Sequence, residues 1–539
     1  MGENSIEHYT WIDGIVGELK SRSTEKHVVH GMWTPSGYFH IGNARSELMT
    51  PMLVFSTLRD SGVPAEFNFF VDDFDDLDKI PGGIDVDKKE FSEHLGKPLY
   101  EVPSPVPGHK SWSDYFAHDI KDVAERFGSR PQWHSSYESY RKGLYDKAIR
   151  LVLDNSRAAR DIMVRIAKAQ KPEDWIPIMT VCENCGRSAT TIATEWDGDV
   201  VKYKCSNDRE YAKACGHSGE VKPEKGRVKL PWRLHWPATW FSFGTTFESA
   251  GKDHFAAGGS VETGHAFMRE IFKTEPPYHV GVEFVQIDGK KISGSVGNVI
   301  SLPGWLEFAE PEIMRFLYAS YKPSTAIEFS MQSNKFFLLT DRYDEAERCY
   351  FGAKSLTEKR TEQLKRQYEL AQTGKIPKEM PVKFSYSTAA MIVQAVPNKS
   401  ISNIEKILKT MGVAKELTAA DENRIELRIN LMEKWLDKYA PDEIRIKINE
   451  AAPASAVSNL SKSEKDAVKD VKELLEKDVS ESDLQSSIYE TARLHKVEPK
   501  KFFQLLYTVL ISKDYGPKLG PFMIAIGKDR VKRILDSVE

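Results

Sequence analysis

Apolar and polar positions sort the first third of the chain into alternating strands and helices. "EKHVVHGM" (25–32) is a short apolar run and reads as a strand. "NARSELMTPMLVFSTLRDSG" (43–62) carries apolar residues at helical spacing and reads as a helix, bent at Pro51. "PAEFNFFVDDFDDL" (64–77) is a second strand, ending in acids. Strand, helix, strand at this spacing is a βαβ unit, so a parallel sheet is expected, with ligands at the carboxyl ends of its strands. Between 175 and 225 the alternation gives way to cysteines, glycines and short polar strands, the mark of an inserted minidomain. The α/β pattern returns at 229–254 and 278–300. From about 305 the chain reads as helices, with a polar linker at 451–465 and no internal repeat.

Composition narrows this picture. The 539 residues, 40% hydrophobic and 29% charged, suit a globular protein of two to four domains. The first residues lack the basic and apolar regions of a signal peptide, and no run of about 18 apolar residues occurs. No membrane span is expected, and the expected location is cytoplasmic. The net charge of −4 gives no global affinity for nucleic acid, but leaves room for a local basic face. Four of the five cysteines cluster, as Cys182-x2-Cys185 and Cys205-x9-Cys215. This pattern indicates a reducing compartment and one structural Zn²⁺ held by four sulfurs, with His217 as a reserve ligand. Cys349 reads as a buried helix residue.

Two loops carry candidate chemistry. In "GMWTPSGYFHIGNARSEL" (31–48) a strand turns into a helix that opens with His40-Ile41-Gly42-Asn43. A helix start offers free N–H groups and the positive end of a dipole, so a phosphate fits there. "GKKISGSVGN" (289–298) sets Lys290 and Lys291 beside Ser293, Gly294 and Ser295, suited to the charge that builds on a leaving pyrophosphate. The run Asp72-Asp73-Phe74-Asp75-Asp76 could hold Mg²⁺, but a solvated strand end and helix cap is the favoured reading.

Taken together, HIGN and KISGS resemble the two signatures of class I aminoacyl-tRNA synthetases. "TPSGYFHIGN", "VDDFDDLDKIP", "GKPLYEVPSP", "CENCG…TEWDG", "WPATW", "GKDHFAAGGS", "KISGSVGNVI" and "YGPKLGPFMIAIGKDRVKRIL" more closely resemble the class I lysyl-tRNA synthetases over nearly the whole length. The resemblance implies a Rossmann-type parallel-sheet catalytic domain with a zinc-binding insertion, followed by an all-α region. Its halves would be 1–174 and 229–304, the insertion 175–228, a helical stem-contact region 305–360 and an α-helical anticodon-binding domain 361–539. It implies ATP with Mg²⁺, lysine and a lysine-specific tRNA as substrates, charged at the 2′-hydroxyl. His40, Asn43, Lys291 and Ser293 would be catalytic. Pro35, Ser36, Gly42 and Asp253 would join them around ATP. Gly31 and Thr34, with one residue more between them than the family carries, would hold lysine with Trp232 and His254. A second zinc site near 104–118 is not expected, because Ser104, Gly108 and Tyr115 leave only His109 there. The sequence departs from the family at His235, Thr239 and Val282, where aspartate, arginine and tyrosine are expected. Two rivals stand beside this reading: a class I synthetase of other specificity, glutamyl above all, and a non-catalytic tRNA-binding paralogue.

Overall fold

A computed structural model describes residues 9–291 (apart from 23 and 83), 299–413, 416–477 and 481–538. The chain divides into two compact units. The first comprises residues 1–306, 310–329 and 357–375, and the second 307–309, 330–356 and 376–539. Among the described residues no helix is long and apolar enough to cross a membrane.

The first unit is built on a five-stranded sheet of β1 (His27–Trp33), β2 (Ala65–Val71), β3 (Gln132–Ser135), β4 (Phe247–Gly251) and β5 (Tyr278–Val282). Its order is β5-β4-β1-β2-β3, and every neighbouring pair is parallel. All seven residues of β1 are buried, as a central strand covered on both faces requires. The expected βαβ unit is β1, the helical segment 41–60 and β2.

That helical segment is not uniform. A turn of α-helix (Ile41–Asn43) passes into a π-helical stretch (Ala44–Met49), and regular α-helix follows over Thr50–Asp60. Pro51 has no N–H to give to the carbonyl four residues back, and its ring would clash there. The expected bend at Pro51 is thus realised as a widened turn before it.

The insertion is closed at its base by Met179–Thr180 pairing antiparallel with Val228–Lys229. Beyond this neck stands a three-stranded antiparallel sheet of Thr191–Trp196, Val201–Cys205 and Ser218–Val221. Residues 357–375 return to the first unit. Arg315, buried on the helix Pro311–Ser320, donates 2.8 Å to the Phe127 carbonyl and 2.9 Å to that of Leu370. Among the described residues one strand also interrupts the helical region beyond 305: Ile327–Phe329 pairs parallel with Val285–Ile287.

The second unit is helical. Its core includes Trp435, whose indole N–H donates 3.1 Å to the Met331 carbonyl, and the fully buried Arg428, paired with Asp344 at 3.1 Å. The stretch 451–465 is more ordered than a linker. It holds a short helix (Ala454–Val457), and Ser461 with Glu464 forms a capping box on the helix Lys462–Leu474.

Candidate active site

The strand order reverses between β1 and β4, since β1 leads on to β2 and β3 on one side while β4 and β5 lie on the other. Such a reversal opens a crevice at the carboxyl ends of the strands. The two segments leaving it are 34–43 after β1 and Gly251-Lys252-Asp253-His254 after β4.

His40 is the cap of the helix start. Its Nδ1 accepts from the backbone N–H of Gly42 at 3.1 Å and of Asn43 at 3.2 Å, and Asn43 Oδ1 accepts from the His40 N–H at 3.4 Å. An Nδ1 that accepts carries no proton, which places the ring hydrogen on Nε2. Burial pushes the His40 imidazole down to about 4, so it is neutral at pH 7. Neutral His40 therefore presents Nε2–H as a donor. The segment after the second signature closes on the same place: Ile41 N–H donates 2.9 Å to the Ile300 carbonyl, and His40 bridges to Ser301. Pro35 is buried and Ser36 half-buried, its N–H bonded to the Thr34 carbonyl at 2.8 Å. Lys290 and Lys291 pair with Val285–Ile287 through their backbones, while Ser293 lies outside the described residues.

Arg45 fixes this helix start from behind. Its buried guanidinium donates to the carbonyls of Glu283, Lys322 and Thr325 at 2.9, 3.0 and 2.9 Å. The Tyr318 hydroxyl donates 2.7 Å to the Ile41 carbonyl. The widened turn supplies a further constraint. A Cβ placed on Gly31 would lie 2.1 Å from the Glu47 carbonyl oxygen, which is the acceptor that Pro51 leaves without its usual donor. Glycine at 31 is what lets the helix settle onto β1.

On the β4 side, Trp232 opens the helix Trp232–Phe243. Its ring centroid lies 6.2 Å from that of His254 and 5.3 Å from that of Trp236, the last pair stacked. Trp236 meets His254 edge-on at 5.1 Å. Behind these rings, Trp236 and Trp240 donate their indole N–H groups to the two oxygens of buried Glu248, at 3.0 and 2.5 Å.

The three departures from the family pattern are all buried. His235 Nδ1 lies 2.9 Å from the Tyr140 hydroxyl and its Nε2 3.4 Å from Asp72 Oδ1. Thr239 bonds the Tyr145 hydroxyl at 2.9 Å, and Tyr140 stacks on Tyr145 at 4.1 Å. Val282 ends β5.

The acidic run is not the solvated strand end expected of it. Asp72 and Asp73 are buried. Asp73 accepts 2.6 Å from the Ser135 hydroxyl and 2.9 Å from the Tyr137 N–H, and so completes the cap of the helix Ser136–Arg141. Burial pushes its carboxyl up to about 6. Asp75 pairs with buried Lys229 at 2.6 Å, and Asp76 accepts from the Ser188 hydroxyl. The helix-cap half of the expectation stands and the solvated half does not, because the groups that satisfy these carboxylates arrive from distant segments.

The four clustered cysteines converge. Their Sγ atoms all lie within 4.8 Å of one another, with Cys182–Cys215 at 3.6 Å and Cys185–Cys205 at 3.8 Å. Zn–S bonds of about 2.3 Å in a tetrahedron put sulfurs about 3.8 Å apart, so the donor set fits Zn²⁺. His217 is outside this cluster, with its Nε2 buried and without a hydrogen-bond partner among the described residues. Cys349 is buried in the helix Lys335–Tyr350.

In the second unit, two adjoining clefts of about 260 and 340 Å³ share Ser387, Met391 and Pro517 as a wall. The first is apolar and carries the half-exposed ring of Tyr515. The second carries exposed Lys383 and Lys518 with the hydroxyls of Ser385 and Thr388.

Comparison with known families assigns the chain. The family described as tRNA synthetases class I (K) matches residues 9–374. The chain belongs to that family. It is 34% identical to a lysine–tRNA ligase of Pyrococcus horikoshii over 97% of this chain and 98% of that one. It is 36% identical to a lysine–tRNA ligase of Thermococcus kodakarensis, covering 94% and 95% of the two chains. A solved glutamate tRNA ligase from Elizabethkingia meningosepticum is similar with a TM-score of 0.41 and 14% identity, over 95% of this chain and 99% of that one.

Within this class I synthetase the expected α/β parallel sheet and helical C-terminal region are both present. The residues implied by resemblance fall into four groups. Pro35, Ser36, His40, Gly42 and Asn43 line the exit from β1, and Asp253, His254 and Trp232 gather at the exit from β4. Gly31 lies inside β1, where its neighbour is the Glu47 carbonyl, and Thr34 follows the strand. The Lys291 side chain and Ser293 lie outside the described residues. Sequence reading passed over Arg45, Glu47 and Glu248. The available signals were an arginine and an acid inside the first helix, and a lone glutamate in the apolar run Phe247–Gly251.

Proposed function

We propose that the chain attaches lysine to its cognate tRNA in two steps. The lysine carboxylate attacks the α-phosphate of ATP and pyrophosphate leaves; the 2′-hydroxyl of the terminal adenosine then attacks the adenylate carbonyl, takes the lysyl group and releases AMP. The observation that carries this reading is His40: a neutral imidazole, held through Nδ1 by the backbone of the helix it caps, with its ring N–H on Nε2 left as a donor beside the strand-order reversal. A neutral donor suits phosphate charge that develops during reaction, because it needs no proton transfer to act. Asn43 supplies a second donor, and Gly42 leaves the backbone open to the nucleotide, with Pro35, Ser36 and Asp253 around it. Lys291 and Ser293 would meet the departing pyrophosphate, and Mg²⁺ accompanies ATP. No enzyme nucleophile is needed; positioning and charge stabilisation supply the rate.

Lysine is the amino acid because the relatives that match over nearly the whole length bear that name, and because Trp232 and His254 offer an aromatic wall to a cation on an aliphatic stem. Gly31 and Thr34 would hold its other end. Cys182, Cys185, Cys205 and Cys215 would hold one Zn²⁺ that cross-links the insertion and takes no part in the chemistry. The helical unit would read the tRNA anticodon, with Tyr515 stacking an unpaired base and Lys383 and Lys518 meeting its phosphates.

Pyrophosphate exchange with each amino acid in turn, in the presence of total tRNA, tests the reading. Lysine should be the substrate activated best. Preferential activation of glutamate, or no exchange with any amino acid, refutes it.

A further inference from the structure

Glu248 is the second residue of β4, buried, on a strand that flanks the strand-order reversal and paired there with His30 of β1. Its two carboxylate oxygens take the indole N–H groups of Trp236 and Trp240, one turn apart on the same helix. Among the described residues, the basic groups in ion-pair range are two histidines, His30 Nδ1 at 3.9 Å and His279 Nε2 at 3.8 Å. Burial pushes His30 down to about 4, so it gives no positive charge at pH 7. His279 is linked onward to His265 at 2.9 Å. The other nearby acid, Glu47, is pushed up to about 8 by burial and is mostly protonated at neutral pH. Burial pushes Glu248 up, and neighbours that include His279 and the Trp236 N–H more than offset it and hold it below the usual range.

A carboxylate buried without a lysine or arginine is costly, and an apolar side chain of similar size is the cheaper way to fill such a site. What the anion achieves lies on the far side of Trp236. That ring stacks on Trp232 at 5.3 Å and meets His254 at 5.1 Å. An anion accepting the indole N–H pushes electron density into the ring and makes its face more negative. A more negative face holds a cation more strongly. The same bond locks the ring plane against Trp232.

We propose that Glu248 is a specificity-determining positioning residue: acting through the Trp236 N–H, it tunes the aromatic wall of Trp232, Trp236 and His254 for a substrate with a cationic side chain. The inference rests on the lysine reading above, and it assigns the preference for positive charge to a residue that does not touch the substrate.

The test compares lysine with norleucine, which keeps the aliphatic stem and lacks the ammonium. Glu248→Gln preserves size and one acceptor while removing the charge. It should raise KM for lysine at least tenfold, leave KM for ATP within twofold, and lower the lysine-to-norleucine ratio of kcat/KM at least tenfold. Glu248→Asp keeps the charge and should retain more of that ratio than the glutamine variant. A ratio within threefold of wild type in Glu248→Gln, or an equal loss in Glu248→Asp, overturns the proposal, since either would mean that Glu248 only fills space. If Glu248→Gln is not recovered folded, Trp236→Phe decides. It keeps a ring against Trp232 and removes the N–H link, so a ratio lowered at least threefold supports the proposal and an unchanged ratio refutes it. Wild-type protein that does not activate lysine refutes the lysine reading itself. Wild type selective for lysine with unaltered variants refutes this inference alone.

Discussion

Replacing Gly31 by alanine tests how the first helix is seated, and with it where the phosphate-binding residues stand. The new Cβ would lie 2.1 Å from the Glu47 carbonyl oxygen and 3.0 Å from Phe69 Cδ2, and Cβ atoms do not approach other atoms closer than 3.0 Å. The strand and the helix must therefore part by about 0.9 Å, because the nearer atom is backbone and cannot swing aside. Overpacking of this kind costs about 1–3 kcal/mol. The moving part is the helix whose first turn carries His40, Gly42 and Asn43, and a shift of about 1 Å in a positioning element can cost about 10²-fold in rate. Gly31→Ala should therefore lower kcat for pyrophosphate exchange about 10²-fold, raise KM for ATP, and lower the temperature at which exchange activity is lost. Exchange measured against ATP and lysine separately decides the matter. A variant within threefold of wild type refutes the packing argument. A rise in KM for lysine alone, with ATP parameters unchanged, would confine Gly31 to its lysine-holding role and refute the helix-seating argument.

Three further outcomes follow from the geometry. His40 resists protonation until about pH 4 in the folded protein, against about 6.5 when unfolded, so wild type should lose stability relative to His40→Gln as pH falls from 6.5 towards 4, with no such change above 6.5; a His40 NMR titration near 6.5 would contradict this. Metal analysis should find one Zn²⁺ per chain, lost in Cys205→Ser and kept in His217→Ala; loss in the histidine variant would displace a cysteine from the ligand set. Tyr515→Ala should raise KM for tRNA by about 5–150-fold, the equivalent of about 1–3 kcal/mol of lost base stacking, while KM for lysine at saturating tRNA stays within twofold; an unchanged tRNA KM removes the cleft from the tRNA surface.

The parts legible in the sequence are those written in neighbouring residues. The first strand is expected at 25–32 and is found at His27–Trp33; the second is expected from 64 and is found at Ala65–Val71. Alternation of apolar runs with a turn and a helix start is local information. The cysteine spacing likewise announced a cluster, and four sulfurs meet. The acidic run misled for the opposite reason. Charges adjacent in sequence look solvated, yet Asp75 finds Lys229, Asp73 finds Ser135 and Asp76 finds Ser188, partners 154, 62 and 112 residues away. No window of the chain contains both members of such a pair.

The same limit explains Gly31 and Glu248. Pro51 in a helical pattern signals an unsatisfied carbonyl at Glu47, and Gly31 in a buried strand signals a close approach, but only the fold shows that each answers the other. Trp236 and Trp240 at helical spacing signal two indoles on one face, and Glu248 signals a lone acid in an apolar strand. Each is an exception to its own element's local rule. Exceptions that resolve one another across elements mark where the fold has committed to a fixed geometry. In this chain each resolved pair has one member on a strand that flanks the reversal, Gly31 on β1 and Glu248 on β4. One seats the helix that carries His40 and Asn43, and the other orients the rings beside Trp232 and His254. The two halves of the proposed reaction are thus held by contacts that no single signature motif contains.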